Sequence, residues 1–289
     1  MITEQATDFQ KLYCNLIDDV YDYGKLVCVR GQFCKELTPC YFELKDVNTR
    51  LLNFSSNVRK DIKKYIFGEL MWYLSGSNKV TDIERYSKMW RKLSDDGITN
   101  NSAYGYYIFN KQPNGISQWD WVKSKLREDA FTRQAIIHIK PIQTYDSKDY
   151  VCTLTLSFYI REGKLNLIVN MRSNDLMFGT TYDVFMFTFL QELMAVELGI
   201  DVGTYSHFTN NLHYYLKDEE KLLAMSKEWA NDVFNMPLIP VNFREHDLPI
   251  LLQCEKDYWS VKPLQNVDKL SQCGYFILCL LTGENYYAV

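Results

Sequence analysis

The spacing of apolar positions changes along the chain and divides it into helical and extended stretches. Residues 7–23 place apolar side chains at helical intervals and predict a helix. Residues 58–75, VRKDIKKYIFGELMWYLS, predict a second helix whose latter half is deeply buried, with Glu69 inside that apolar half. Residues 95–115 are crowded with turn-forming residues and predict a long loop; ordered loops of that length are often functional. Another helix is predicted over 118–129. The pattern then turns strand-like over 151–160 (VCTLTLSFYI) and 165–171 (LNLIVNM). The intervening Arg-Glu-Gly-Lys supplies a glycine for a tight turn, so the two strands form a hairpin. Residues 183–198 are apolar nearly all round, the mark of a buried central helix. The last fifteen residues, YFILCLLTGENYYAV, run from apolar to polar-aromatic. Helices and antiparallel strands in this order predict an α+β fold. No repeat or low-complexity linker interrupts the chain, which predicts a single domain over residues 1–289.

Composition narrows the function classes. With 289 residues, 47% of them apolar, the chain can bury a sizeable core. Its net charge of −4 lacks the basic excess that phosphate-rich polymers require, so duplex nucleic acid is excluded as the main ligand. A single nucleotide needs only a few local arginines. The eight cysteines include no C-x-x-C pair, the start is polar and acidic, and no apolar stretch is long enough to cross a bilayer. These features predict a cytoplasmic protein whose cysteines are thiols. P-loop, dinucleotide-binding, H-E-x-x-H and G-x-S-x-G patterns are all absent from the sequence, and no metal site is predicted.

Four residues carry candidate chemistry. Cys152 opens a strand beside a loop and is either a small buried apolar residue or a nucleophile. Glu69 is either a paired structural carboxylate or a catalytic one. Arg172 ends a strand, where its planar fork suits a phosphate or a surface ion pair. His213, in NNLHYY, is either a satisfied structural histidine or a site residue.

Their order resembles the thymidylate synthase family, from about residue 24 to residue 215. Cys152 is followed by Arg172-Ser173-Asn174-Asp175, Gly179, Asp183 and His213-Tyr214-Tyr215. Upstream, GELMWYLSG resembles the helix bearing the family's catalytic glutamate, here Glu69; KMWRKLSDDG resembles the folate-side tryptophan segment, with Trp90; SAYGY resembles a Tyr-Gly element, with Tyr104. The resemblance implies a mixed or antiparallel sheet packed against a central buried helix, and a homodimer formed through the sheet face. It implies 5,10-methylenetetrahydrofolate as the one-carbon donor and a nucleoside monophosphate as substrate. It assigns Cys152, Glu69 and Asp183 to catalysis. Arg30, Arg133, Arg172, Ser173, His213, Tyr215 and Tyr104 go to the nucleotide, with Arg133 lent across the dimer, and Trp90, Asp175, Gly179 and Phe178 to the folate. Departures occur at Thr153, where the family has His; at Leu93, in place of a second tryptophan; in DAFTRQA, which has one arginine where two are usual; and in the C-terminal tail, which matches poorly.

The departure with the clearest chemical meaning is Asp183, where the synthases have Asn. Uracil offers an N3–H donor and an O4 acceptor, which an amide matches. Cytosine offers an N3 acceptor and an amino donor, which a neutral carboxyl matches. A carboxylate facing O4 would oppose acceptors at a cost of about 1–3 kcal/mol. The residue therefore favours cytosine, as in the family's deoxycytidylate hydroxymethylases, unless it merely caps the helix it opens. The implied reaction is addition of Cys152 to C6 of dCMP, one-carbon transfer to C5, and hydration to 5-hydroxymethyl-dCMP. Methylation of dUMP, methylation of dCMP, hydroxymethylation of CMP, and a non-catalytic relative that binds nucleotide or folate remain the alternatives.

Overall fold

The computed structural model describes residues 2–52, 62–140, 143–227 and 233–284. In chain order the elements are β1 (Ile2–Ala6), α1 (Phe9–Tyr23), β2 (Lys25–Val29), β3 (Gln32–Leu37), β4 (Cys40–Leu44), α2 (Ile62–Ser75), α3 (Val80–Ile83), α4 (Met89–Leu93), α5 (Tyr104–Phe109) and α6 (Gln118–Glu128). There follow β5 (Ile136–His138), β6 (Thr153–Arg161), β7 (Lys164–Met171), β8 (Asn174–Asp175), α7 (Thr181–Leu198), β9 (Asp201–Thr209), β10 (Leu212–Tyr215), α8 (Glu219–Lys227), α9 (Asp247–Trp259) and α10 (Gln272–Thr282). A π-helical turn, Leu176–Thr180, leads directly into α7. The described residues form two compact units, one within residues 1–59, 122–137 and 152–235, the other within residues 60–121, 138–151 and 236–289.

The first unit holds both sheets. The larger has the order β1-β4-β9-β7-β6-β5, and the smaller β2-β3-β10-β8. The predicted hairpin is β6–β7, antiparallel from Arg161 opposite Lys164 outward. Its turn residues Glu162 and Gly163 both have positive φ, +54° and +73°, as a two-residue primed turn requires. β7 runs parallel to β9, so the chain crosses between them through α7. That helix is buried along most of its length because its sequence is apolar on every side, and it stops at Gly199 in the left-handed conformation. α1 buries Phe9, Leu12, Tyr13, Leu16, Ile17 and Val20, and Asp8 caps it by accepting from the Lys11 amide at 2.7 Å.

In the second unit, α2 packs against α5, α9 and α10. The predicted helix start at 58–61 and the tail at 285–289 lie outside the described residues. The stretch 95–115, expected to be loop throughout, contains α5. Gly105 permits it, since a Cβ there would overlap the backbone of Tyr73, and the Tyr73 and Tyr104 rings meet edge-on at 5.7 Å. Among the described residues no helix is long and apolar enough to cross a membrane.

Candidate active site

The hairpin explains why Cys152 and Arg172 lie twenty residues apart. From Thr155 to Arg161 the paired residue numbers sum to 325, but an irregularity between Thr153 and Thr155 shifts the register, and Thr153 pairs with Met171. Leu154 is the extra residue and is exposed. The shift sets Cys152 opposite Arg172, whose amide donates to the Cys152 carbonyl at 2.9 Å. Directly opposed residues share a face, and Arg172 Nη2 reaches Cys152 Sγ at 3.4 Å. A cationic N–H donor aimed at sulfur is the kind of contact that suits a thiolate. None of the eight cysteines is in a disulfide, and only Cys28 and Cys152 are not buried. Burial pushes the thiols of Cys14 and Cys40 up to about 11 and about 12, which leaves those two unreactive.

The segment from β8 into α7 assembles a polar cluster. Asp175 accepts at Oδ1 from the amides of Met177, at 2.7 Å, and Phe178, at 3.4 Å, and so caps the π turn. Burial raises its pKa, and burial lowers that of His213 beside it. Asp183 lies in the first turn of α7 but caps nothing. The preceding residues are already helical, and its Oδ2 accepts instead from the side chain of Asn174 at 2.7 Å. The Thr180 hydroxyl donates to Asn174 Oδ1. Withdrawal from water raises the Asp183 carboxyl to about 7; the Asn174 hydrogen bond opposes the rise and the charge of Asp175 adds to it. Neither Asn174 nor Thr180 carries a sequence signal for this contact. Asn174 stands at the variable position of the Arg-Ser-x-Asp segment, and nothing in its spacing signals a role.

Other expected nucleotide residues lie on the same unit. His213 and Tyr215 sit on β10 with rings edge-on at 5.4 Å, and Tyr215 lines an open pocket with Gln32, Phe33, Leu216 and Lys217. Arg30 and Gly31 form the β2–β3 turn, both with positive φ, which holds the exposed Arg30 at the tip. Ser173 is half-buried between β7 and β8, and Phe178 presents an exposed ring. Arg133 is exposed between α6 and β5.

In the second unit, Glu69 is buried on α2. Tyr65, one turn earlier, donates toward Glu69 Oε1 over a long 3.5 Å, and Trp90 Nε1 donates to the Tyr65 oxygen at 3.0 Å. Indole is donor-only, so its N–H occupies the tyrosine oxygen and leaves the hydroxyl proton to point at Glu69. Trp90 also packs edge-on against Trp72 at 5.0 Å. Tyr65 was not foreseen; its signal is the i, i+4 spacing from Glu69 on one helix face. Tyr104 is buried on α5.

The family model described as thymidylate synthase matches residues 11–251. The chain is 33% identical over 232 residues to the deoxyuridylate hydroxymethyltransferase of Bacillus phage SP01, covering 75% of this chain but 60% of that enzyme's length. It is 29% identical over 174 residues to the deoxycytidylate 5-hydroxymethyltransferase of Enterobacteria phage T4, covering 54% of this chain and 70% of that one. The solved thermostable thymidylate synthase A from Bacillus subtilis shares the fold, with a TM-score of 0.66 at 23% identity over 78% of this chain and 87% of that one.

Proposed function

This chain belongs to the thymidylate synthase family, and from that premise we propose that it is a deoxycytidylate hydroxymethylase, converting dCMP, 5,10-methylenetetrahydrofolate and water to 5-hydroxymethyl-dCMP and tetrahydrofolate. The observation that carries the reading is Asp183. It occupies the base-reading position, makes no helix cap, and holds a carboxyl raised to about 7, so a neutral form is available to donate to cytosine N3.

The roles are those the resemblance implies, and the local contacts of Cys152 and Glu69 support them. The Cys152 sulfur, with Arg172 against it, adds to C6 of the base and makes C5 nucleophilic. Arg172 has five N–H donors, enough to touch the sulfur and still reach the 5′-phosphate with Ser173 and Arg30. His213 and Tyr215 take the sugar hydroxyl. Glu69 handles the proton transfers, with Tyr65 against its carboxyl. Methylenetetrahydrofolate supplies a one-carbon unit at the oxidation level of formaldehyde. The chain has groups suited to it: Phe178 offers a half-exposed ring, and Asp175 keeps Oδ2 clear of hydrogen bonds among the described residues. Trp90 is already hydrogen-bonded through its N–H, so it would contribute a ring face or edge. The working form is a homodimer in which the exposed Arg133 serves the partner's phosphate site.

A second reading has its own support. The phage SP01 relative, 33% identical, is named for deoxyuridylate. Tritium release from C5 separates the two. With methylenetetrahydrofolate, release from dCMP should exceed release from dUMP by at least about tenfold. Faster release from dUMP would assign the chain to the uracil branch.

A further inference from the structure

A neutral carboxyl is ambiguous as a base reader. With its proton on one oxygen it matches cytosine; with the proton on the other it presents the reverse pattern and matches uracil. Asp183 therefore selects cytosine only while its proton sits on the oxygen that faces N3.

The surroundings of Asn174 remove the ambiguity. Its side-chain nitrogen faces two acceptors, Asp183 Oδ2 at 2.7 Å and the sulfur of Met171 at 3.1 Å. A thioether sulfur can only accept, so the amide cannot turn its oxygen that way without opposing lone pairs. On the other side Asn174 Oδ1 takes the Thr180 hydroxyl. Asn174 and Thr180 are both buried. Gly179 keeps the group compact: a Cβ there would lie 3.3 Å from Asp183 Oδ2 and 3.4 Å from Asn174 Nδ2.

Resting on the dCMP reading above, we propose that Asn174, fixed by Thr180 and Met171, is a specificity-determining positioning residue that holds Asp183 Oδ2 as the acceptor for the 4-amino group and confines the carboxyl proton to Oδ1, where it meets N3. Uracil then meets donor against donor at N3 and acceptor against acceptor at O4. Presenting the uracil pattern would need the proton on Oδ2, against the Asn174 amide.

The test measures kcat/KM for dCMP and dUMP across pH in the full-length enzyme and in Asn174→Ala, Thr180→Val, Thr180→Ser and Asp183→Asn. The titratable groups facing Asp183 are Asp175 on β8 and Tyr205 on β9, with His207 hydrogen-bonded behind Tyr205; all stay in place in the Asn174 and Thr180 variants. Asn174→Ala should lower the dCMP-over-dUMP ratio about tenfold. It should also move the alkaline fall of kcat/KM for dCMP to higher pH, because the lost hydrogen bond favours ionised Asp183. Thr180→Val should reproduce the loss of ratio and Thr180→Ser should not. Thr180→Val preserves volume, so it decides the matter if Asn174→Ala fails to fold. A ratio and profile unchanged in Asn174→Ala or Thr180→Val, or a ratio that rises, overturns the proposal. If Asp183→Asn loses the dCMP preference while those variants keep it, the lock alone is wrong. If the wild-type enzyme shows no dCMP preference, the reading beneath it fails as well.

Discussion

Asp183 concentrates the chemistry of base choice in one carboxyl. Held at about 7, it is neutral and able to donate below that pH, and ionised with two acceptors above it. The pKa is raised, so rising pH removes the useful form. The ratio of kcat/KM for dCMP over dUMP should therefore fall as pH passes 7, a trend read from competition assays between pH 6 and 9. Asp183→Asn should shift that ratio toward dUMP by about a hundredfold at pH 7. Cys152→Ala should lower kcat by about a thousandfold or more with folding intact, measured as loss of tritium release; unchanged release would contradict the covalent step. Tyr65→Phe removes the donor directed at Glu69. The expected result is an acid limb of the kcat profile moved to higher pH, since an ionised carboxylate loses a hydrogen bond.

At the scale of elements, tight contacts decide what can change. Gly68 precedes Glu69 on α2, and a Cβ there would overlap the ring of Tyr86. Gly68→Ala should destabilise the protein by about 1–3 kcal/mol through overpacking, seen as a lower thermal midpoint. Elements with one strong period were legible in the sequence. The β6–β7 hairpin, α7 and the described part of α2 lie where the patterns over 151–171, 183–198 and 58–75 place them. The remaining strands escaped because their interiors are mixed. β9 reads DVGTYSHFT, with Ser206, His207 and Thr209 buried in the sheet. Tyr205 hydrogen-bonds His207 at 2.8 Å and Phe42 stacks on it at 4.5 Å, so partners rather than polarity set its burial. β2 is exposed through nearly all of KLVCV, which erases alternation. α5 is six residues long and exists because it packs on α2. The candidate site residues form an ordered series in the sequence, whereas the contacts of Asn174 and Thr180 leave no such mark, because a hydrogen-bond relay has no periodic trace.

For the whole molecule, the dimer reading makes a sharp demand on Arg133, which is exposed on a single chain. If Arg133 serves the partner's site, Cys152→Ala and Arg133→Ala subunits should each be inactive alone. Mixed and reassorted, they should recover about a quarter of wild-type activity, since half the dimers are mixed and each mixed dimer has one intact site. No recovery would place Arg133 in its own subunit's site, and an Arg133→Ala enzyme active alone would place it in none. The central claim, hydroxymethylation of a cytosine nucleotide, is tested most directly by product mass. The purified enzyme is given equimolar dCMP and dUMP with methylenetetrahydrofolate, and the nucleotides are weighed by mass spectrometry. The account predicts dCMP heavier by about 30 Da, the mass of CH2O, with dUMP untouched; a product formed on dUMP, or a gain of about 14 Da on either base, would contradict it.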